Sequence, residues 1–352
     1  MINKFNKEMG QKKSKLNNGY QFRSGNETPT EVKEGEEEEI EEKKFSNKKC
    51  SFHENIKLNK TIKDHIDWIK SVKIFPSGNL VSVSDDSSII IYNGLQYNVI
   101  QHIRNAHKNN IINISIKDDN NFITCSDDTN IHIWSKKENE FTLNKIIKKA
   151  HKNRICNVIY CSNDNIISCS NDEKIKIWEL ITDHYQLLTT LTHSDTINSL
   201  LLLEDKNILI SGGYDGTKLW KIYTYGKNVV FLCHFEKAFC GCWNGLCRID
   251  EDRIVVGGEK SLEIISLNKK QIINSIKIPF RCNGITSIEE KGLFFIGGWS
   301  CDIQIYRIDN YECIETIECA HHNYIVGFCK LMNGLICSFS GDHSINIWSF
   351  NK

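Results

Sequence analysis

The sequence has no excess of charge of either sign. Its 352 residues carry 44 basic and 44 acidic side chains, so the basic stripe that nucleic-acid binding needs to displace counterions is missing. Long apolar runs are also missing. Leu200–Leu203 is among the longest, far short of the ~18 residues of a membrane span. The opening residues Met1-Ile-Asn-Lys-Phe-Asn-Lys hold no apolar stretch of signal-peptide length, and no glycine follows Met1 for myristoylation. No Cys-x-x-Cys pair accompanies the 15 cysteines, and their number is odd. They are therefore expected to be reduced thiols, small buried hydrophobes of strands. Searches for chemistry find no Gly-x-Ser-x-Gly elbow, no phosphate loop and no His-Glu-x-x-His. The expectation is a soluble, non-catalytic protein of the cytoplasm, with the nucleus also open, that uses neither metal nor cofactor and is monomeric on its own.

Apolar residues make up 40% of the chain, enough for a substantial core. They are distributed unevenly. Residues 1–49 combine Lys12-Lys13, the acidic run Glu36–Glu39 flanked by Glu34, Glu41 and Glu42, and then Lys43-Lys44 and Lys48-Lys49. Such a polyampholyte buries too little to offset its ordering entropy and is expected to be a disordered tail. From Cys50 to the end, short segments rich in Ile, Val, Tyr and Thr alternate with Asn, Asp, Ser and Gly, and proline occurs only at Pro76 and Pro279. This part reads as a single all-β domain, residues 50–352.

A fixed period runs through it. Segments of the form apolar-x-apolar-aromatic end at Tyr92, Trp134, Trp178, Trp220, Ile265, Tyr306 and Trp348, spaced by 42, 44, 42, 45, 41 and 42 residues. Seven units follow. His65, His107, His151, His193 and His321 each stand 27 positions before their unit's terminal aromatic. An acid with a hydroxyl four residues ahead of it recurs as Ser82 and Asp86, Thr124 and Asp128, Ser168 and Asp172, Ser211 and Asp215, Ser338 and Asp342. The acid precedes the aromatic by six residues except in unit four, where Asp215 to Trp220 is five.

These tetrads, with turns such as Ser126-Asp127-Asp128-Thr129, resemble the WD-repeat family from about residue 52 to 350. The resemblance implies a seven-bladed β-propeller of four-stranded antiparallel blades. In each complete blade a polar chain of His, Ser/Thr, Asp and Trp (Tyr92 in the first) would tie the inner turn to the third strand. The last unit ends at its third strand, so Asn55–Ile62, or more broadly residues 52–63, is expected to supply the missing outer strand and remove an exposed edge.

Units five and six lack the tetrad. Their His slots hold Ala238 and Pro279, their acid slots Glu259 and Ser300. Either they are degenerate or they were released from the pattern to build a site. Nearby, Cys240, Cys242 and Cys247 with His234 have the residue types of a zinc site. Their spacing fits no standard finger, and buried thiols are the expected reading.

The family resemblance also implies exposed positions on one face, three and five residues after the tetrad histidine and one before the tetrad acid. Here these are Trp68, Asn110, Arg154, Thr196 and Tyr324; then Lys70, Ile112, Cys156, Asn198 and Val326; then Asp85, Asp127, Asn171, Tyr214 and Gly341, with Trp299 and Gly258 in the degenerate units. Trp243 takes the His+5 slot counted from Ala238. Trp68, Lys70, Asn110, Arg154, Tyr214, Trp243, Trp299 and Tyr324 thus become the expected partner-binding residues of this face, rich in the types that carry interface energy. The implied function is a scaffold or adaptor for partner proteins or peptides. One alternative is a substrate-receptor adaptor of a ubiquitin ligase complex, although Trp134 is followed by Ser-Lys-Lys and Trp178 by Glu-Leu-Ile, not the Trp-Asp-x-Arg of many such adaptors. Another is a reader of modified peptide tails through an aromatic cage.

Overall fold

The computed structural model describes residues 56–350 apart from 224, 225 and 333. The charged tail expected over residues 1–49 lies outside the described residues. The remaining chain forms seven antiparallel sheets of four strands each. Among the described residues no α-helix occurs, and 3-10 turns stand at Glu204–Lys206 and Glu289–Lys291.

Blade one is built from Ile69–Ile74, Leu80–Ser84, Ile89–Tyr92 and Val99–Ile103. The first strand of each later blade is Ile111–Asp118, Ile155–Tyr160, Ile197–Leu203, Leu246–Arg248, Cys282–Ile288 and Ile325–Lys330. Each of these touches its counterpart in the next blade, and the seventh touches the first, so they line a closed ring. The last blade is completed by Ile56–Ile62, which pairs antiparallel with Ile345–Phe350 from Ile56↔Phe350 to Ile62↔Ile345, with a bulge between Leu58 and Lys60. Without that strand Ile345–Phe350 would be an unpaired edge.

Why the blades stack is visible in the burial. The hydrophobic clusters fall one at each boundary between neighbouring blades, seven in all among the described residues. A four-stranded sheet with two apolar faces cannot bury both alone, and stacking around an axis buries both. The terminal aromatic always packs backwards. Trp134 joins Val81 and Val83 of blade one, Trp178 joins Ile123 and Ile133 of blade two, and Tyr92 joins Phe339 of blade seven.

Alternating strand directions give the ring two faces. The upper face carries the entry into each first strand and the turn between strands two and three. The lower face carries the other two turns. In the upper turns of blades one, two, three and seven, Ser87, Thr129, Glu173 and His343 take left-handed backbone with φ of 62°, 68°, 66° and 66°. Blade four closes instead on a two-residue turn, with Gly213 pairing Gly216. That tighter turn accounts for the one-residue slip before Trp220.

Candidate functional site

Five blades hold complete polar quartets or nearly so. In blade two the indole N–H of Trp134 donates to Thr124 Oγ1 at 2.9 Å, and Thr124 Oγ1 lies 2.8 Å from His107 Nε2, whose Nδ1 is 3.1 Å from Asp128. An indole can only donate, and a carboxylate needs a donor from Nδ1, so the hydroxyl donates to Nε2. The same geometry recurs at His151–Ser168–Asp172–Trp178, His193–Ser211–Asp215–Trp220 and His321–Ser338–Asp342–Trp348. Each acid also accepts the backbone N–H following its histidine, as Asp172 does from Lys152. Burial pushes these carboxyls up, but the hydrogen bond and charge of the histidine and the further hydrogen bonds that each accepts together outweigh it; Asp172 is held at about 2 and Asp86, Asp128, Asp215 and Asp342 well below the ordinary range.

Blade one departs from this. His65 reaches Ser82 at 2.7 Å and Asp86 at 2.8 Å, but the buried Tyr92 hydroxyl finds no partner of hydrogen-bond geometry. A second device went unread in the sequence. Three residues after the tetrad acid's turn, His132, Lys176 and Asn346 donate to the carbonyls of Ala106, Ala150 and Ala320, which precede the tetrad histidines. His132 stacks on His107 at 3.7 Å between ring centroids. Burial, helped by His107, lowers His132 to about 4. Although His107, Asp128 and His132 lie close enough to share an ion, both nitrogens of His107 and Nδ1 of His132 are already committed within the protein.

The axis is where the structure departs most from expectation. Blade five has only three residues in its first strand, and the chain before it, Phe239–Gly245, crosses the upper mouth of the ring. Cys240 O accepts from Asn198 of blade four and Trp243 O from Asn157 of blade three. Asn244 Nδ2 reaches Val326 O of blade seven at 3.2 Å and Lys70 O of blade one at 3.4 Å, and its backbone bridges Gly284 of blade six. The approach depends on glycine: a Cβ on Gly327 would sit 3.1 Å from Asn244 Nδ2 and 2.5 Å from Phe339.

This segment corrects the expected His+5 positions. Lys70, Ile112, Cys156, Asn198 and Val326 are all buried. Ile112, Cys156 and Val326 pack in the clusters between blades, with Trp243 against the first two of these clusters, and Asn198 donates to the crossing segment at the Cys240 carbonyl. Lys70 Nζ lies 4.6 Å from the ring centres of both Trp68 and Trp243 and 3.0 Å from Asp85. Its ammonium is enclosed and cannot meet a partner directly. Burial raises Asp85 and Asp127, with Lys70 and Arg154 respectively opposing.

Around this plug three of the expected aromatic residues meet. Trp299, 49% exposed, stacks on Tyr324 at 4.9 Å, and Tyr324 meets Trp68 edge-on at 5.9 Å. Trp68 lies down because position 341 is glycine; a Cβ there would approach its ring to 3.1 Å. Beyond Lys70, Trp243 is flanked by Arg154 at 5.4 Å, which pairs with Asp127 at 2.9 Å. At the other end Arg281 sits over Trp299 at 5.6 Å and donates to Tyr214 Oη at 3.0 Å and to the Gly241 carbonyl at 2.5 Å. Arg281 was missed because unit six has no tetrad from which to count. Asn110 stands apart from the aromatic series, its carbonyl accepting from Asp127 N–H.

The residues weighed for zinc do not converge. His234 Nε2 bonds the Asp215 carbonyl, and Cys247 contacts Ser287 of blade six, while Arg281 Nε lies 3.4 Å from Cys242 Sγ. The fourteen cysteines among the described residues are free thiols. Burial pushes Cys240 and Cys156 up to about 12.

Comparison with known proteins adds two findings. The family described as "WD domain, G-beta repeat" matches residues 56–93, 98–135, 142–179 and 185–221. Each match opens on the outer strand of one blade and closes on the third strand of the next, the same offset by which Ile56–Ile62 completes blade seven. A stretch of 77 residues is 36% identical to Lissencephaly-1 homolog 1 of Paramecium tetraurelia, covering 21% of this chain and 18% of that protein. The likeness thus spans less than a fifth of that relative.

Proposed function

The chain belongs to the WD-repeat family, whose propellers are generally non-catalytic and bind protein partners, and we propose that it is itself a non-catalytic scaffold or adaptor that holds a partner protein on its upper face. The observation that carries this reading is the Trp299–Tyr324–Trp68 series. Three aromatic side chains from blades six, seven and one meet in sequence on a face whose centre is closed. Aromatics that are partly exposed and held by neighbours order little on binding, so more of their contact energy reaches the partner. Of the cations on this face, Lys70 beside Trp68 is neutralised by Asp85 and Arg154 beside Trp243 by Asp127, while Arg281 over Trp299 is held by Tyr214 and the Gly241 carbonyl. They position the rings and leave apolar edges as the surface offered. A reducing intracellular setting accords with the free thiols.

The test is affinity capture with wild type and a Trp299→Ala/Tyr324→Ala double variant, read by quantitative mass spectrometry alongside thermal unfolding. The reading requires proteins retained by wild type and depleted at least tenfold by a variant that is still folded. Equal retention at equal stability would refute it.

A further inference from the structure

The lower face has a chemistry of its own. In blades two to six the turn between the first two strands is acidic: Asp118 and Asp119, Asp164, Glu204 and Asp205, Asp250–Asp252, Glu289 and Glu290. The corresponding turns of blades one and seven, Phe75–Asn79 and Leu331–Leu335, carry no charge. Between them opens a cavity of about 400 Å³, and none of its lining residues is charged. Its walls include Ile74, Leu80, Tyr97 and Leu331. At its lips stand Leu95, 89% exposed, and Met332, 69% exposed, two of the three most exposed large apolar side chains among the described residues. Met332 Sδ lies 3.6 Å from where a Cβ on Gly78 would be, so the blade-seven turn reaches over blade one. Single exposed apolar residues are ordinary, but two framing one uncharged cavity are a surface prepared for contact.

Charge at the border says what fits. Half of the ten acids in these turns are paired: Asp164 with Lys117, Asp205 and Glu251 with Arg248, Asp250 with Arg253, Glu290 with Lys330. Asp118 and Asp119 make no ion pair among the described residues. Asp119 accepts the backbone N–H of Ser77, a lining residue, at 2.7 Å. An uncharged, apolar-lipped cavity therefore borders directly on the Asp119 carboxylate, bound to its wall at Ser77.

We propose that this notch between blades seven and one docks a partner protein through one large apolar side chain, with an adjacent lysine or arginine answering Asp119. The volume admits a phenylalanine, methionine or leucine side chain. The site is on the face opposite the aromatic series and stands or falls separately from it.

The test uses the full chain and fluorescein-labelled peptides of a Gly/Ser background bearing Phe-Lys-Lys, Ser-Lys-Lys or Phe-Glu-Glu, read by anisotropy at low salt. The Phe-Lys-Lys peptide is expected to bind at least tenfold more tightly than either of the others. Met332→Asp and Leu95→Ser are expected to weaken it at least tenfold without lowering the unfolding temperature, since both side chains are exposed. Asp119→Asn is expected to weaken it and to reduce its salt dependence. Absence of binding, equal binding of the three peptides, or binding indifferent to Met332→Asp overturns the proposal. So does a concentration-dependent dimer of the chain that Met332→Asp abolishes, which would make a second copy the occupant.

Discussion

Arg281 of blade six donates a hydrogen bond to the hydroxyl of Tyr214 in blade four, passing over the blade between them. The same guanidinium holds the Gly241 carbonyl of the crossing segment and lies over Trp299. One side chain thus supports both the closed axis and the end of the aromatic series. Arg281→Ala should lower stability by about 1–3 kcal/mol, because it removes the donor to the carbonyl of the buried Gly241. Arg281→Lys should recover little, since an ammonium cannot serve three partners in one plane. Denaturant unfolding measures the first effect, and near-ultraviolet circular dichroism of the tryptophans reports the second.

The quartets predict a contrast in sign. Thr124→Val strands His107 Nε2 and the Trp134 indole N–H, each at a cost of about 1–3 kcal/mol. Tyr92→Phe removes a buried hydroxyl that has no partner of good geometry, and should be within about 0.5 kcal/mol of wild type or more stable. Equal destabilisation by the two changes in urea unfolding would show that the blade-one hydroxyl is satisfied after all.

Acid should act first on the histidines. His132 is held neutral in the fold, at about 4, against about 6.5 when unfolded. Protonation therefore favours the unfolded chain, and stability falls as pH drops from 6.5 toward 4. Burial also lowers His151 and His193, despite Asp172 and Asp215. The tetrad carboxylates, whose folded pKa values are depressed, lose their contribution only at pH below the ordinary carboxylate value of about 4. His132→Asn keeps a donor for the Ala106 carbonyl, as Asn346 does for Ala320. It should flatten the pH 6.5–4.5 limb of the stability curve by up to about 3 kcal/mol and leave the steeper fall below pH 4 in place. Unfolding midpoints measured in half-unit pH steps would check it.

Ring closure gives a prediction by deletion. Removing residues through Ile62 exposes the edge Ile345–Phe350 and strips Ile56 and Ile62 from the clusters at the two sides of blade seven. The product should be insoluble or lack a cooperative transition. Soluble protein with a sharp melting curve would overturn the inference.

The ring was legible in the sequence because its determinants repeat. His107, Thr124, Asp128 and Trp134 mean little singly, but their spacing returns in five units, and that periodicity is what stacked sheets impose. The upper aromatic positions could be counted from the same histidines, and Trp68, Trp299 and Tyr324 do meet. What could not be counted is whatever happens once. Trp243 was assigned as though blade five had a full first strand; Leu246–Arg248 is too short, and the residues ahead of it turn inward. The enclosure of the Lys70 ammonium against Trp243 depends on that turn, and Asn244 of the same segment bonds the carbonyls of Lys70 and Val326, 174 and 82 residues away. No periodic signal encodes such contacts. Arg281 belongs to the same class.

The crossing segment also changes what kind of object the ring is. A closed array in which each sheet meets only its two neighbours could open at any joint and lose a unit at a time. Here Phe239–Gly245 acts as a hub with spokes to blades one, three, four, six and seven, so parting one joint strains several others. The spokes to Lys70 and Val326 can form only when the first and last sheets are both in place. The hub should therefore seat last in folding and, while seated, bind the separate repeats into one cooperative unit.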